Sequence, residues 1–116
     1  MTESLNSKYK RGMLLELVDK KKLSRMKVSR IIDNIGGRLR MKYENSEDFD
    51  DFWCHQNSEL IHPIGWSAYN GHDIDASNEY KRSSLEKYKK NTYEPNECTL
   101  NMFKKVFIFI YKFAFY

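Results

Sequence analysis

The sequence contains few residues of the types that define specialised protein classes. Its 116 residues include two cysteines, two prolines and five glycines. The two cysteines, Cys54 and Cys98, are too few for a disulfide scaffold, and the low proline and glycine content excludes collagen-like and low-complexity architectures. We therefore expect a folded domain in a reducing, intracellular compartment.

Long apolar segments are also missing. The longest covers residues 106–116, and it is shorter than the roughly 20 residues that a membrane-spanning helix needs. The first 11 residues are polar and charged and lack the apolar core of a secretory signal. The sequence thus predicts neither membrane insertion nor export, although the β-propensity of residues 106–116 indicates an aggregation-prone tail.

What the sequence does contain is an uneven distribution of charge. Residues 1–42 hold twelve Lys or Arg and four Asp or Glu, whereas residues 43–80 hold nine acidic residues and no Lys or Arg. Hydrophobic residues make up 41% of the chain, which is sufficient for the core of one small domain at this length. Such two-sided charge can direct a polyanion to one region and a cationic peptide to another.

Alternating apolar residues predict a series of short strands. The segments with this pattern are 12–19, 25–35, 38–43 and 52–55. In the first, Glu16 is predicted to lie on the face opposite the apolar residues. The second changes phase between Val28 and Ile31, which indicates a bulge, and Gly36-Gly37 then predicts a tight turn before the third.

The downstream pattern is less regular. Residues 58–66 contain Pro63 and Gly65 and predict a turn or one helical turn rather than a strand. Residues 80–90 are mostly helix formers, and residues 91–105 predict an extended arm. The apolar residues expected to anchor this arm are Leu100, Met102 and Phe103. Short strands joined by tight turns favour a mainly β fold, a small barrel with a partly helical C-terminal arm.

Several ordered motifs resemble the malignant brain tumour (MBT) repeat. They are Asp51-Phe52-Trp53-Cys54-His55, Ile61-His62-Pro63-Ile64-Gly65-Trp66 and Gly71-His72, preceded by the segments 12–19 and 37–40. The resemblance covers about residues 9–72 and continues more weakly to residue 103. It implies a Tudor-like, SH3-like barrel with an arm that packs on a neighbouring repeat, and it is closest to the Polycomb-group proteins that carry four such repeats.

The resemblance also implies domain boundaries and a cellular role. A barrel core is expected over residues 12–75, with a residual N-terminal arm over residues 1–11 and an arm toward a next repeat over residues 76–105. Residues 106–116 lie outside the family pattern. The implied role is a binding module of a nuclear transcriptional repressor, whose partners are histone tails, Polycomb-group proteins and neighbouring repeats. A truncated, non-functional fragment is the alternative that the short first arm suggests.

Family members that bind ligand hold mono- or dimethyl-lysine in a cage of three aromatic residues above one carboxylate. Carried over by position, the carboxylate is Asp19 and the first aromatic wall is Tyr43. The other two walls fall on Ser46 and Asp50, which are not aromatic. An aromatic face attracts a cation by about 0.5–2 kcal/mol, so the loss of two walls is expected to lower affinity roughly ten- to a hundredfold.

The resemblance therefore implies a degenerate pocket with weak or no binding of methyl-lysine. A family asparagine near the carboxylate falls on Lys22. Our hypothesis for how binding could be retained is that Phe49 or Tyr69 replaces a missing wall of the cage.

A group of basic residues in the first half of the chain suggests a rival function. Its members are Lys20, Lys21, Lys22, Arg25, Lys27, Arg30, Arg38, Arg40 and Lys42. Arg38, Arg40 and Lys42 lie on one face of a predicted strand and are candidate phosphate contacts. Few aromatic residues alternate with these cations, so base stacking is not predicted. A Tudor-like module that binds nucleic acid without sequence preference is thus the alternative function, and its binding would depend on salt.

The sequence predicts no enzyme, no metal site and no cofactor. Cys54 and His55 are adjacent in a predicted strand, so their side chains point to opposite faces and cannot form a nucleophile pair. Metal-binding spacings of cysteine and histidine are not found. The acidic residues of segment 44–51 have no accompanying nucleophile. His62 and His72 fall in the family motifs and are interpreted as structural.

Overall fold

The computed structural model describes residues 7–45 and 52–103. The elements within them are β1 (Leu14–Asp19), β2 (Lys22–Ile35), β3 (Arg38–Tyr43), β4 (Phe52–His55), β5 (Ile61–His62), α1 (Trp66–Asn70), β6 (Ile74–Asp75), α2 (Asn78–Lys90) and a 3₁₀ helix (Leu100–Met102). Ser46, Phe49 and Asp50, which were considered as cage walls, lie outside the described residues, as does the predicted apolar tail over residues 106–116.

Five strands form one antiparallel sheet in the order β4-β3-β2-β1-β5, and β6 joins β2 in parallel. The sheet curls into a half-barrel. Its concave side buries apolar residues of the first three strands completely, namely Leu15, Leu17, Ile31, Leu39 and Met41. The mainly β fold class predicted from strand alternation is therefore confirmed.

The β2–β3 hairpin depends on its two glycines. Gly36 and Gly37 have φ angles of 61° and 92°. A type I′ turn needs positive φ at both central residues, and glycine reaches these angles without a steric penalty. The tight turn predicted here is thus present.

A bulge interrupts β2 at Ile32. Ile31 and Asp33 pair with consecutive residues of β3, so Ile32 is the extra residue. The predicted bulge exists, but it lies after Ile31 rather than before it. The earlier change of hydrophobic phase has another cause, because Met26 lies beside β6 and is buried there.

The segment around Pro63 contains regular structure that the sequence analysis missed. Ile61 and His62 form β5, which pairs with β1. Pro63 follows this strand, so its missing N–H does not interrupt the hydrogen bonds. Gly65 and Gly71, with φ of 92° and 65°, then flank helix α1. The prediction of a turn without a strand over residues 58–66 was wrong.

Helix α2 begins two residues earlier than predicted. The Ser77 hydroxyl caps its first turn by accepting a hydrogen bond from the Tyr80 N–H at 3.0 Å. The helix ends at Asn91, which adopts a left-handed conformation with φ 54°. Among the described residues, no helix is long and apolar enough to cross a bilayer.

The C-terminal segment packs on the barrel of the same chain. The N–H of Leu14 donates to the carbonyl of Asn96, and the N–H of Cys98 donates to the carbonyl of Leu14, both at 2.8 Å. Phe103 is buried, with its ring centroid 5.4 Å from that of Tyr9. The anchoring role predicted for Phe103 is present, while Leu100 and Met102 are half-buried.

Candidate functional site

Asp19, the predicted cage carboxylate, ends β1 and is 2% exposed. The Arg25 side chain donates two hydrogen bonds to its Oδ2, from Nε at 3.0 Å and from Nη2 at 2.7 Å. The backbone N–H of Lys21 donates to Oδ1 at 2.9 Å. Both carboxylate oxygens are therefore engaged by groups of the same chain.

Tyr43, the predicted first wall, lies beside this carboxylate. Its hydroxyl donates to the carbonyl of Val18 at 2.7 Å and accepts from the N–H of Lys20 at 3.0 Å. These two residues flank Asp19, so the structure brings Asp19 and Tyr43 together. Phe52 approaches the Tyr43 ring edge-on, with a centroid distance of 6.5 Å.

Lys27 lies over the ring of Tyr43. Its Nζ is 5.2 Å from the ring centroid and 3.7 Å from Oδ2 of Asp75, and its side chain is 21% exposed. A cation at this distance interacts with the aromatic face. We call Asp19, Arg25, Lys27 and Tyr43 the Asp19 cluster. In it, two cations of the chain contact the two groups that the family resemblance assigns to the methyl-lysine pocket.

The electrostatics of the Asp19 cluster favour the ionised acid. Burial alone would raise the pKa of Asp19. The hydrogen bonds from Arg25 and from the Lys21 N–H lower the pKa, and the positive charges of Arg25 and Lys27 lower it further. Together they outweigh the effect of burial, so the pKa of Asp19 lies below its ordinary value. Arg25 and Lys27 were grouped with the basic strand face, but they belong to this cluster.

The remaining predicted pocket residues do not add to this cluster. Lys22, at the position of the family asparagine, has a side chain that is 57% exposed, with its Nζ 3.9 Å from Asp73. Tyr69 stacks on Tyr88 of α2 with a centroid distance of 4.6 Å. The hypothesis that Tyr69 supplies a cage wall therefore has no support.

A second acid of β1, Glu16, is completely buried. It was predicted to lie on the strand face opposite the apolar residues, and that prediction did not show that helices cover this face. Glu16 Oε1 accepts from the Ser67 N–H and hydroxyl, at 2.9 and 2.7 Å. Its Oε2 accepts from the Gly65 N–H at 2.9 Å and from the Tyr80 hydroxyl at 2.6 Å. A Cβ at Gly65 would collide with the Ser84 carbonyl oxygen, so glycine permits this close packing of the helices.

The histidines of the family motifs take structural positions. His62 stacks on Trp66 with a centroid distance of 3.7 Å and an interplanar angle of 6°, and His72 lies 5.1 Å from the same indole. Over residues 7–45 and 52–103, no group of histidine, cysteine or acidic side chains could hold a metal ion. Burial raises the pKa of the Cys98 thiol to about 12, which disfavours the reactive thiolate.

The candidate phosphate contacts lie on the convex side of the sheet. Arg38 and Lys42 are exposed and Arg40 is half-buried. Strand β4 adds two rings that the sequence analysis did not connect with them, since Arg38 pairs with His55 and Arg40 pairs with Trp53. The expectation that few aromatic residues alternate with these cations considered only neighbours in sequence, whereas strand pairing places these two rings beside them.

The chain is similar to a known protein family and to several of its members. The family model described as the mbt repeat matches residues 13–81. MBT domain-containing protein 1 of Xenopus tropicalis is 45% identical over 95 residues, which are 81% of this chain and 14% of that protein. The human protein of the same name is 48% identical over 88 residues, covering 75% of this chain and 13% of its own length.

A Polycomb protein and its solved structure are also similar. Polycomb protein Sfmbt of Drosophila melanogaster is 33% identical over 110 residues, or 94% of this chain and 9% of that protein. The crystal structure of the four MBT repeats of Sfmbt, in complex with the peptide RHR(me)KVLR, matches with a TM-score of 0.74 and 32% identity, covering 88% of this chain and 23% of the other. The chain thus spans less than a sixth of the curated relatives described here.

Proposed function

Because this chain belongs to the MBT repeat family, we propose that it is a chromatin-binding module of a Polycomb-type repressor whose own methyl-lysine pocket is closed. Its partners would be histone tails or Polycomb-group proteins, with neighbouring MBT repeats where the chain is part of a longer protein, and its location would be the nucleus. The similarity to Sfmbt, whose four repeats were crystallised with a methyl-lysine peptide, supports a reader fold. Binding rather than catalysis is the proposed activity.

The observation that carries the closed pocket is the occupation of the Asp19 cluster. A methylated ammonium needs a carboxylate to accept its remaining proton and aromatic faces to surround its methyl groups. Here Arg25 already donates to the carboxylate and Lys27 already lies over the tyrosine. Removing these contacts costs free energy that an entering ligand must offset, so the pocket disfavours methyl-lysine even where a wall is available.

The test is an NMR titration of the 15N-labelled chain with a dimethyl-lysine peptide and its unmodified form. We expect no difference between the two peptides at the amides of Asp19, Lys27 and Tyr43. Shifts at these amides with the methylated peptide alone would contradict the closed pocket.

A second experiment uses a variant designed to reopen the pocket. Lys27→Ser combined with Ser46→Trp and Asp50→Tyr removes the internal cation and restores the two missing walls. We expect this variant to distinguish the methylated peptide, whereas Lys89→Ser with the same two wall substitutions retains the internal cation and should respond less. Equal responses from both variants would show that Lys27 does not close the pocket.

The chromatin association needs a separate measurement. A tagged chain expressed in cells is expected to separate with the nuclear chromatin fraction. Its recovery in the cytosolic fraction would contradict the proposed role without bearing on the pocket.

A further inference from the structure

A basic and aromatic surface lies on the convex side of the sheet, away from the Asp19 cluster. We define the convex patch as Arg38, Arg40, Lys42, Trp53 and His55. Residues two apart along β3 are separated by about 6.8 Å, and paired residues on adjacent strands have Cβ atoms about 5 Å apart. The three cations therefore form a row, and the two rings lie directly beside it.

Trp53 of the convex patch is held in place and is accessible. The guanidinium carbon of Arg38 lies 5.5 Å from the centroid of the Trp53 ring, which is a cation–π contact. Trp53 is nevertheless 42% exposed, which is unusual for a large indole. Arg38 thus places a positive charge against the indole, and the exposed part of Trp53 remains open to a ligand.

Two acids of the described residues lie beside the convex patch, and each contacts a cation outside it. Asp33 lies 3.4 Å from Nη2 of Arg11. Glu44 accepts two hydrogen bonds from Arg30, at 3.0 and 2.8 Å. Asp33 is opposite Arg40 in the strand register and Glu44 follows β3, so these pairs reduce the extent to which the two acids offset the charge of the row.

We propose that the convex patch binds single-stranded nucleic acid, with Arg38, Arg40 and Lys42 along the phosphates and a base stacked on Trp53. A row of cations beside an exposed aromatic ring is the arrangement that binds single strands without sequence preference. An acidic peptide would use the charge but not the ring. A duplex would present stacked bases that Trp53 reaches only after unstacking, which costs free energy.

Fluorescence anisotropy of a labelled oligo(dT) twelve-mer with the full chain tests this proposal. Three phosphate contacts to a single strand predict a log–log salt slope of about −2, so affinity should fall about 20-fold between 50 and 200 mM salt. No binding at 50 mM salt would overturn the proposal. Equal or tighter binding of a duplex of the same length would also overturn it.

Paired variants assign the binding to the convex patch. Trp53→Ala should weaken binding at least about fivefold. Its control, Tyr69→Ala, removes a half-exposed ring from α1 and should change binding little. Arg38→Ala should flatten the salt slope by about 0.7, whereas Arg82→Ala removes an exposed cation from α2 and should leave the slope unchanged.

Two further observations keep the result unambiguous. If Trp53→Ala fails to give a dispersed NMR spectrum, Trp53→Phe retains a stacking surface and is expected to bind, while Arg38→Ala still tests the cations. Losses from the control variants Tyr69→Ala and Arg82→Ala that equal those from the convex-patch variants would overturn the assignment. Displacement of the oligonucleotide by an equal concentration of poly-glutamate would assign the surface to acidic peptides instead. The proposal does not depend on whether the methyl-lysine pocket is open.

Discussion

Two buried acids three positions apart on β1 are stabilised in opposite ways. Glu16 accepts four hydrogen bonds from neutral groups of α1, α2 and the turn before α1. Asp19 is paired with a cation and with the N–H of its own turn. The first arrangement joins the barrel to the helices, whereas the second is internal to the Asp19 cluster. An acidic side chain on one strand is thus held by neutral donors at one position and by a cation at the other.

The largest effect on stability is expected from removing the Glu16 carboxylate. Glu16→Ala leaves two N–H groups and two hydroxyls without their buried acceptor, so we expect the free energy of unfolding to fall by about 3–5 kcal/mol. Urea denaturation followed by fluorescence measures this loss. Glu86→Ala removes an exposed acid from α2 and serves as the control, with an expected change below about 0.5 kcal/mol. A Glu16→Ala loss as small as that of the control would contradict the architectural role.

A matched pair of tyrosine variants compares the stability that hydrogen bonds contribute near the two acids. Tyr80→Phe removes a hydroxyl that donates to the Glu16 carboxylate, and we expect a loss of about 1.5–3 kcal/mol. Tyr43→Phe removes a hydroxyl whose partners are neutral backbone groups, so the expected loss is about 1 kcal/mol. Urea denaturation of both variants against the wild type gives the two values. The reverse order would mean that the Asp19 cluster contributes more to stability than the Glu16 bonds do.

The smallest effect concerns Asp19 and depends on pH. Asp19→Asn should lower the free energy of unfolding by about 1–2 kcal/mol at neutral pH, a modest value because the Arg25 partner is partly exposed. The folded pKa of Asp19 lies below the ordinary value of 3.8, so its contribution is present above that pH and is lost as the pH falls through the folded pKa. The difference in free energy of unfolding between the wild type and Asp19→Asn should therefore become smaller below about pH 4. A constant difference between pH 7 and pH 3 in thermal denaturation would contradict this linkage.

The local pattern of the sequence predicts most of the barrel. Strict alternation in β3 and the glycine pair before it are sufficient to predict the hairpin, because side-chain direction and turn geometry are both local properties. Alternation did not predict the burial of Glu16, since it distinguishes two faces of a strand but does not show that helices cover the second. Only the spacing of the Ser67 and Tyr80 donors in three dimensions explains why an acid is stable there.

The candidate site was predictable in part for a related reason. Family position identified Asp19 and Tyr43, which the structure places side by side. It did not identify Arg25 and Lys27 as their partners, because these residues appear in the sequence as members of one basic group. Their separation from Arg38 follows from strand pairing, because Lys27 lies in β2 between β1 and β6, whereas Arg38 begins β3 at the hairpin. The position of Trp53 beside the basic row was missed for the same reason, since its basic neighbours belong to the adjacent strand.

The contact between Tyr9 and Phe103 has a mechanical consequence. The Tyr9 hydroxyl donates to the Met102 carbonyl at 3.0 Å, so the two ends of the described fold are tied at one point. A pulling force applied at Ser7 and Phe103 would load this hydrogen bond and ring contact together with the hydrogen bonds that join Ser7 and Tyr9 to Gln56 and Asn34. The two ends are thus secured to each other and to the barrel by side-chain contacts that lie outside the strand ladders.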